Sequence, residues 1–174
     1  MQIILKIKDI KNYPHPVVTL GNFDGVHVGH QKIISAVVEK AKQHHGTSVV
    51  VTFDINTKLF FGKITESALI YTEQQKMQAF EKLGVDACVV LDFASVVDMT
   101  AENFVREILV EKIGMKELII GYDTNFGSDQ MGDKHHLVQL GNTYDFMVTE
   151  VEPLEKDGKI VSSTELRKKH ILEE

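Results

Sequence analysis

The spacing of short apolar runs constrains this chain more than any other feature. Residues 48–53 (Ser-Val-Val-Val-Thr-Phe), 87–91 (Ala-Cys-Val-Val-Leu) and 118–120 (Leu-Ile-Ile) are nearly continuous rather than alternating. A strand with one wet face alternates apolar and polar residues, whereas a strand covered on both faces does not. Amphipathic helical stretches fall between these runs. Ile33, Ile34, Val37, Val38 and Ala41 form one stripe, and Gly46 is placed to end that helix. Thr72 and Gln75 make a capping box, Met77, Phe80 and Leu83 face inward, and Gly84 closes the helix. Thr100 caps a third helix with Phe104, Val105, Ile108 and Leu109 inward and Gly114 at its end. Residues 17–20 read as a further strand, 137–140 as a short helix, 144–151 as a strand and 162–172 as a terminal helix. Asp157-Gly158 signals a hairpin turn. Strands alternating with helices predict an α/β fold built on a doubly wound, mostly parallel sheet. The 174 residues suit a single domain, 1–174.

Composition narrows the class. A net charge of −6 argues against a general nucleic-acid binder, whose footprint is normally a basic face. No run of 18 apolar residues occurs, so no membrane span is expected. Residues 1–9 contain no long apolar segment or small-residue cleavage site, and the expected location is the cytoplasm. The one cysteine, Cys88, sits inside an apolar run and reads as a buried core thiol.

In a doubly wound sheet, ligands bind beyond the carboxyl ends of the strands. The chemically unusual segments here are 21–30, 54–58, 92–93, 121–133 and 162–167, and each follows a predicted strand. The first is Gly21-Asn22-Phe23-Asp24-Gly25-Val26-His27-Val28-Gly29-His30. Its glycines allow close backbone approach, and the helix that follows offers free N–H groups to an anion. On a first helical turn His27 and His30 can both face one phosphate. At the reference pKa of about 6.5 they would be partly charged near neutrality. Two His at this spacing could also ligate a metal, but no third ligand stands at a typical distance. Composition alone leaves a phosphate site and a plain turn both open. Ser162-Ser163-Thr164 before a helix is first of all an N-cap, with Arg167 one turn on as a possible phosphate grip. Residues 121–127 suit either a ligand-lining loop or a simple turn. The adjacent pairs His44-His45 and His135-His136 read as solvated surface.

Residues 21–30 resemble the His-x-Gly-His signature of the nucleotidyltransferase superfamily. With their flanks they are similar to the prokaryotic FAD synthetases. The resemblance extends to Val51-Thr52-Phe53, residues 72–76 and 82–86, residues 101–105, Gly121-Tyr122-Asp123 and the closing Ser162-Ser163-Thr164 with Arg167. It implies a Rossmann-like nucleotidyltransferase fold and the reaction FMN plus ATP to FAD plus pyrophosphate, with Mg²⁺ carried mainly by phosphate oxygens and water. It implies that His27, His30 and Arg167 stabilise charge on the reacting phosphates. It places Gly21, Asn22, Phe23, Asp24 and Gly25 at the nucleotide through their backbone, with Gly29, Ser162, Ser163 and Thr164, and it places Asp123, Asn125, Phe126 and Gly127 in the loop beside nucleotide and flavin.

Three positions depart from the family pattern. The second strand runs into Asp54-Ile55-Asn56-Thr57 rather than Pro-His-Pro, and Thr124 and Asn125 replace the usual aromatic and basic residues. The chain also ends at Glu174, where a riboflavin kinase module usually begins, so kinase activity is not expected. Two other functions compatible with the same motifs are a nucleotidyltransferase with a different phosphate-bearing acceptor and a flavin- or nucleotide-binding module without catalysis.

Overall fold

The computed structural model describes residues 1–173, with side chains through Lys168. Six strands form one sheet in the order β1-β4-β3-β2-β5-β6, and every pairing in it is parallel. They are β1 Gln2–Ile4, β2 Pro16–Leu20, β3 Thr47–Phe53, β4 Ala87–Leu91, β5 Glu117–Gly121 and β6 Met147–Val151. A two-stranded hairpin, β7 Glu155–Lys156 with β8 Lys159–Ile160, follows the sheet. The helices are α1 Val28–Gln43, the single turn α2 Thr57–Phe60, α3 Glu73–Lys82, the single turn α4 Phe93–Val96, α5 Ala101–Phe104, α6 Lys134–Tyr144 and α7 Ser163–Glu173.

The apolar runs are continuous because successive side chains enter opposite layers. Val49, Val51, Val89, Leu91 and Val18 pack with Phe104, Val105, Ile108, Leu109, Leu137 and Leu140 on one face. Val50, Cys88 and Val90 pack with Ile34, Val38 and Phe80 on the other. Helix α1 buries Ile34, Val37, Val38 and Ala41, the stripe read from the sequence. A fully buried Val or Ile contributes about 1.5–3 kcal/mol, so this face anchors the helix over the sheet. Cys88 is fully buried, and burial pushes its thiol up to about 12.

Strand order sets the place of the crevice. The chain leaves β2 for β3 on one side, while β5 flanks β2 on the other. The carboxyl ends of β2 and β5 therefore form the switch point, where the facing loops part. Residues 21–30 leave β2 there, and residues 121–133 leave β5.

Several boundaries differ from the sequence expectation. Residues 2–4 pair with Ala87, Cys88 and Val89 as an edge strand that the Lys-interrupted N-terminal pattern did not suggest. Tyr144 belongs to α6, not to the strand. Asp145, at φ 60, reverses the chain, and β6 starts at Met147. Helix α5 continues as a wider π-helix, Val105–Ile113, before Gly114 at φ 79. The Asp157-Gly158 turn forms as expected, with φ 55 and 75. His44 is not simply solvated: it stacks on His15 with centroids 4.5 Å apart. His136 is half-buried, its Nδ1 2.8 Å from the Met131 carbonyl.

Gly46 was expected to supply the helix-ending reversal, but His45 takes that role at φ 51. Gly46 is required for a different reason, because a Cβ there would lie 2.2 Å from the His15 carbonyl oxygen. Gly46→Ala must push β2 and the end of α1 apart. It is expected to cost about 2 kcal/mol, read as a lowered urea midpoint at unchanged m-value.

Candidate active site

The segment after β2 is held in a conformation it would not choose alone. Phe23, Gly25 and Val26 have φ of 51, 79 and 35. A β-branched residue at positive φ is strained, and such strain persists only where the surroundings over-determine it. Those surroundings are visible. Phe23 is buried edge-to-face against Phe80 at 5.7 Å and His30 at 5.3 Å. A Cβ on Gly25 would come within 2.8 Å of Ile70. Asp24 lies at the centre, 5% exposed. Its Oδ1 accepts the Ile70 and Tyr71 N–H groups at 3.0 and 3.1 Å, and its Oδ2 accepts Arg167 Nε at 3.1 Å. Ser163 Oγ donates to the Asp24 carbonyl at 3.2 Å.

The two histidines are stacked, with centroids 3.5 Å apart and planes inclined by 19°. His27 is the N-cap of α1, and its Nδ1 accepts the His30 N–H at 3.2 Å. A neutral His27 ring therefore carries its proton on Nε2, which is left as a donor. Gly29 makes this fold-back possible, since a Cβ there would lie 2.9 Å from His27 Cε1. Both rings depart from the expectation of partial charge. Burial lowers the His27 pKa. For His30, burial first and the charges of His27 and Arg167 after it push the value down to about 3. His30 Nδ1 is buried without a hydrogen-bond partner among the described residues. Both shifts favour the neutral ring, most strongly for His30.

These residues line a polar cleft of about 380 Å³. It takes Gly21, Asn22, Phe23, Asp24, His27, Gly29 and His30 from the first segment, Asp123, Thr124 and Asn125 from the loop after β5, and Ser162, Ser163, Thr164 and Arg167 from the start of α7. Segments from the two ends of the sequence thus meet at the switch point. Not every side chain is available to a ligand. The Asn22 amide is committed to Thr57, donating to its Oγ1 at 2.8 Å and accepting its N–H at 3.0 Å. Phe23 belongs to the core, and Gly25 lines a neighbouring surface hollow rather than the cleft. Ser162 is a cap, accepting the Glu165 N–H at 3.3 Å. Arg167 spends Nε on Asp24, so its two Nη groups remain as donors.

A second, apolar pocket of about 230 Å³ adjoins the cleft. The two share Gly21, Asn22, Thr57, Thr124 and Asn125. Phe53, Phe61, Phe93, Phe104 and Phe126 line it, together with Gly127. Phe126 is fixed edge-to-face against Phe104 at 5.7 Å. Gly127 lets the loop lie on α5, where a Cβ would meet the Ala101 nitrogen at 2.5 Å. The segment that departs from Pro-His-Pro becomes α2, capped by the Asn56 side chain, and contributes Thr57 and Phe61 to this wall. The sequence marked 54–58 and 92–93, and so Lys58 and Phe93, as segments at the ligand edge without giving either side chain a role; Phe53, the last residue of β3, and Phe61, the C-cap of α2, were not singled out.

The FAD synthetase family model matches residues 9–165. The chain belongs to the FAD synthetase family. Bifunctional riboflavin kinase/FMN adenylyltransferases are its relatives. That of Buchnera aphidicola from Acyrthosiphon pisum is 33% identical over 97% of this chain and 54% of its own length. That of Pseudomonas fluorescens is 38% identical over 87% and 49%, and that of Escherichia coli K12 is 31% identical over 96% and 54%. The chain spans about half the length of these relatives. Among solved structures it is similar to a Streptococcus pneumoniae protein described as a macrolide-efflux protein, with TM-score 0.82, 28% identity, and 97% of this chain and 55% of that one covered. A pantoate-β-alanine ligase from Francisella tularensis shares the fold alone, at TM-score 0.63 and 16% identity over 95% of this chain and 72% of that one. Of the segments that carry the resemblance, 21–30, 121–123 and 162–167 contribute to the cleft, whereas 72–76, 82–86 and 101–105 do not.

His30, half-buried with its Nδ1 shielded from solvent, gives this chain a defined acid sensitivity. Its folded pKa of about 3 lies below the unfolded value of 6.5. The unfolded chain takes up a proton that the folded chain refuses, so stability falls as pH drops from about 6.5 towards 3. His30→Gln should flatten that part of the stability–pH curve, measured by urea unfolding at closely spaced pH values. An unchanged slope would contradict the burial of the ring.

Proposed function

We propose that this chain is an FMN adenylyltransferase, transferring AMP from ATP to the FMN phosphate to give FAD and pyrophosphate. The observation that carries the proposal is the junction of a polar cleft with an aromatic-lined pocket at the switch point of the sheet. ATP phosphates suit the cleft, and a flat tricyclic flavin suits the pocket of Phe53, Phe93, Phe104 and Phe126. The shared rim, Gly21, Asn22, Thr57, Thr124 and Asn125, is where the two substrates would meet.

In this reaction an FMN phosphate oxygen attacks the α-phosphorus in line and pyrophosphate departs. The protein's task is to align two anions that repel each other and to stabilise the charge that builds on the phosphoryl oxygens. His27 offers Nε2–H and Arg167 its Nη groups. The orphan His30 nitrogen gains a partner when an anion enters. A phosphate beside the rings favours their protonated form, so binding is expected to draw a proton into the site. Gly21 and Gly29 admit the phosphates close to the backbone, and the N-terminus of α1 adds a favourable dipole. Ser163 supports the segment through Asp24, and Thr164 is exposed at the cleft as a hydroxyl donor.

Mg²⁺ fits this donor set as an ion that arrives with the nucleotide. It keeps several waters and takes one or two carboxylates beside phosphate oxygens. Asp123 and Glu152 are exposed carboxylates on the cleft wall, and among the described residues no three His, Cys, Asp or Glu side chains converge into a metal cage. Mg²⁺ would neutralise phosphate charge there, with Asp123 and Glu152 as its protein-side anchors. Cytoplasmic ATP chemistry also suits the free, buried Cys88.

Incubating the chain with ATP, FMN and Mg²⁺ should yield FAD and pyrophosphate in equal amounts. His27→Ala and Arg167→Ala should each lower turnover by about 10²-fold or more. Folded protein that makes no FAD, or variants that turn over normally, would overturn the assignment.

A further inference from the structure

Lys58 stands among the residues that meet substrate, yet no motif contains it. It lines the polar cleft from the β3 side, next in sequence to Thr57, which borders both the cleft and the apolar pocket. It is half-buried. Its backbone is fixed by the Asn56 side chain, which accepts the Lys58 N–H at 2.9 Å. Arg167, the other strong cation of the cleft, is paired with Asp24. Lys58 forms no ion pair among the described residues. Burial lowers its pKa, the charges of Arg167 and then Lys63 lower it further, and Asp123 and Asp24 oppose the shift without reversing it. Lys63, at the outer edge, rests over the Phe61 ring at 5.9 Å. A half-buried cation without an ion pair is free to take an anionic ligand as its partner.

The position of Lys58 decides which anion. Neither Lys58 nor Arg167 nor either histidine lines the apolar pocket, but Lys58 is next in sequence to Thr57, which does, whereas Arg167 and the histidines stand with α7 and α1. Lys58 adjoins the shared rim. A flavin ring seated among the phenylalanines would send its phosphate past Asn22 and Thr57 towards the Lys58 ammonium. We infer that Lys58 binds the acceptor's phosphate and so determines the preference for a phosphorylated flavin over an unphosphorylated one. This rests on the proposed adenylyltransferase function.

The test separates the two claims. In steady-state assays Lys58→Gln should raise KM for FMN by about tenfold, leave KM for ATP within about twofold, and be largely rescued by Lys58→Arg. Flavin fluorescence titrations with FMN and with riboflavin supply a readout independent of turnover. The wild-type chain should prefer FMN, and Lys58→Gln should erase that preference while riboflavin affinity holds. A rise in KM for ATP instead, or no change in either constant, would overturn the role of Lys58 while FAD formation stands. A wild-type chain that makes no FAD would sink the adenylyltransferase reading. A preference for FMN that Lys58→Gln removes would still support the phosphate contact, and binding that ignores the phosphate would refute it.

Discussion

The site depends on one buried ion pair. Asp24 and Arg167 are 143 residues apart in sequence and 3.1 Å apart in space, with 5% and 6% of their surfaces exposed. Burying two charges is costly, and their attraction offsets that cost only when the remaining hydrogen-bonding positions are also filled. Asp24 meets the condition by accepting two backbone N–H groups, from Ile70 and Tyr71, as well as Nε of Arg167. One carboxylate thereby ties together the segment after β2, the approach to α3 and the last helix. Removing either charge would leave its partner buried and unpaired, a loss of about 3–5 kcal/mol in comparable sites. The positive φ angles of Phe23 and Val26 are held in place by the same contacts.

From this pair follows a division of labour between two adjoining spaces. The cleft gathers two stacked histidines whose pKa values burial lowers, an arginine held by its carboxylate, and Lys58, which has no ion pair among the described residues. Besides burial, the charge of Arg167 lowers the pKa values of His30 and Lys58, and a bound polyanion would offset that repulsion and favour protonated histidines. The apolar pocket beside them is built from side chains at the ends of β3 and β4, from α5 and from the loop after β5. Only the shared rim connects the two, which confines the meeting of substrates to the carboxyl ends of β2 and β5.

Much of this was legible in the sequence, for identifiable reasons. Strands covered on both faces leave continuous apolar runs, and these located β3, β4 and β5 closely. The His-x-Gly-His segment was legible because its glycines and histidines are needed for a local geometry, the fold-back of His27 over Gly29. What escaped was set by long-range packing. β1 is an edge strand that buries Ile4 alone, too little to leave a pattern. The Asp24–Arg167 pair joins residues with no sequence relationship. The pKa values of His27 and His30 lie below the reference value because of burial, which composition does not show. The hold of the Asn22 side chain on Thr57 likewise joins residues 35 apart in sequence.

The most direct test is a crystal structure of the chain with FMN and a non-hydrolysable ATP analogue. Density for the nucleotide phosphates between His27, His30 and Arg167, with the flavin ring against Phe93 and Phe126 and its phosphate facing the α-phosphorus, is the predicted result. Nucleotide phosphates bound away from the two histidines, or a flavin ring outside the phenylalanine-lined pocket, would contradict it.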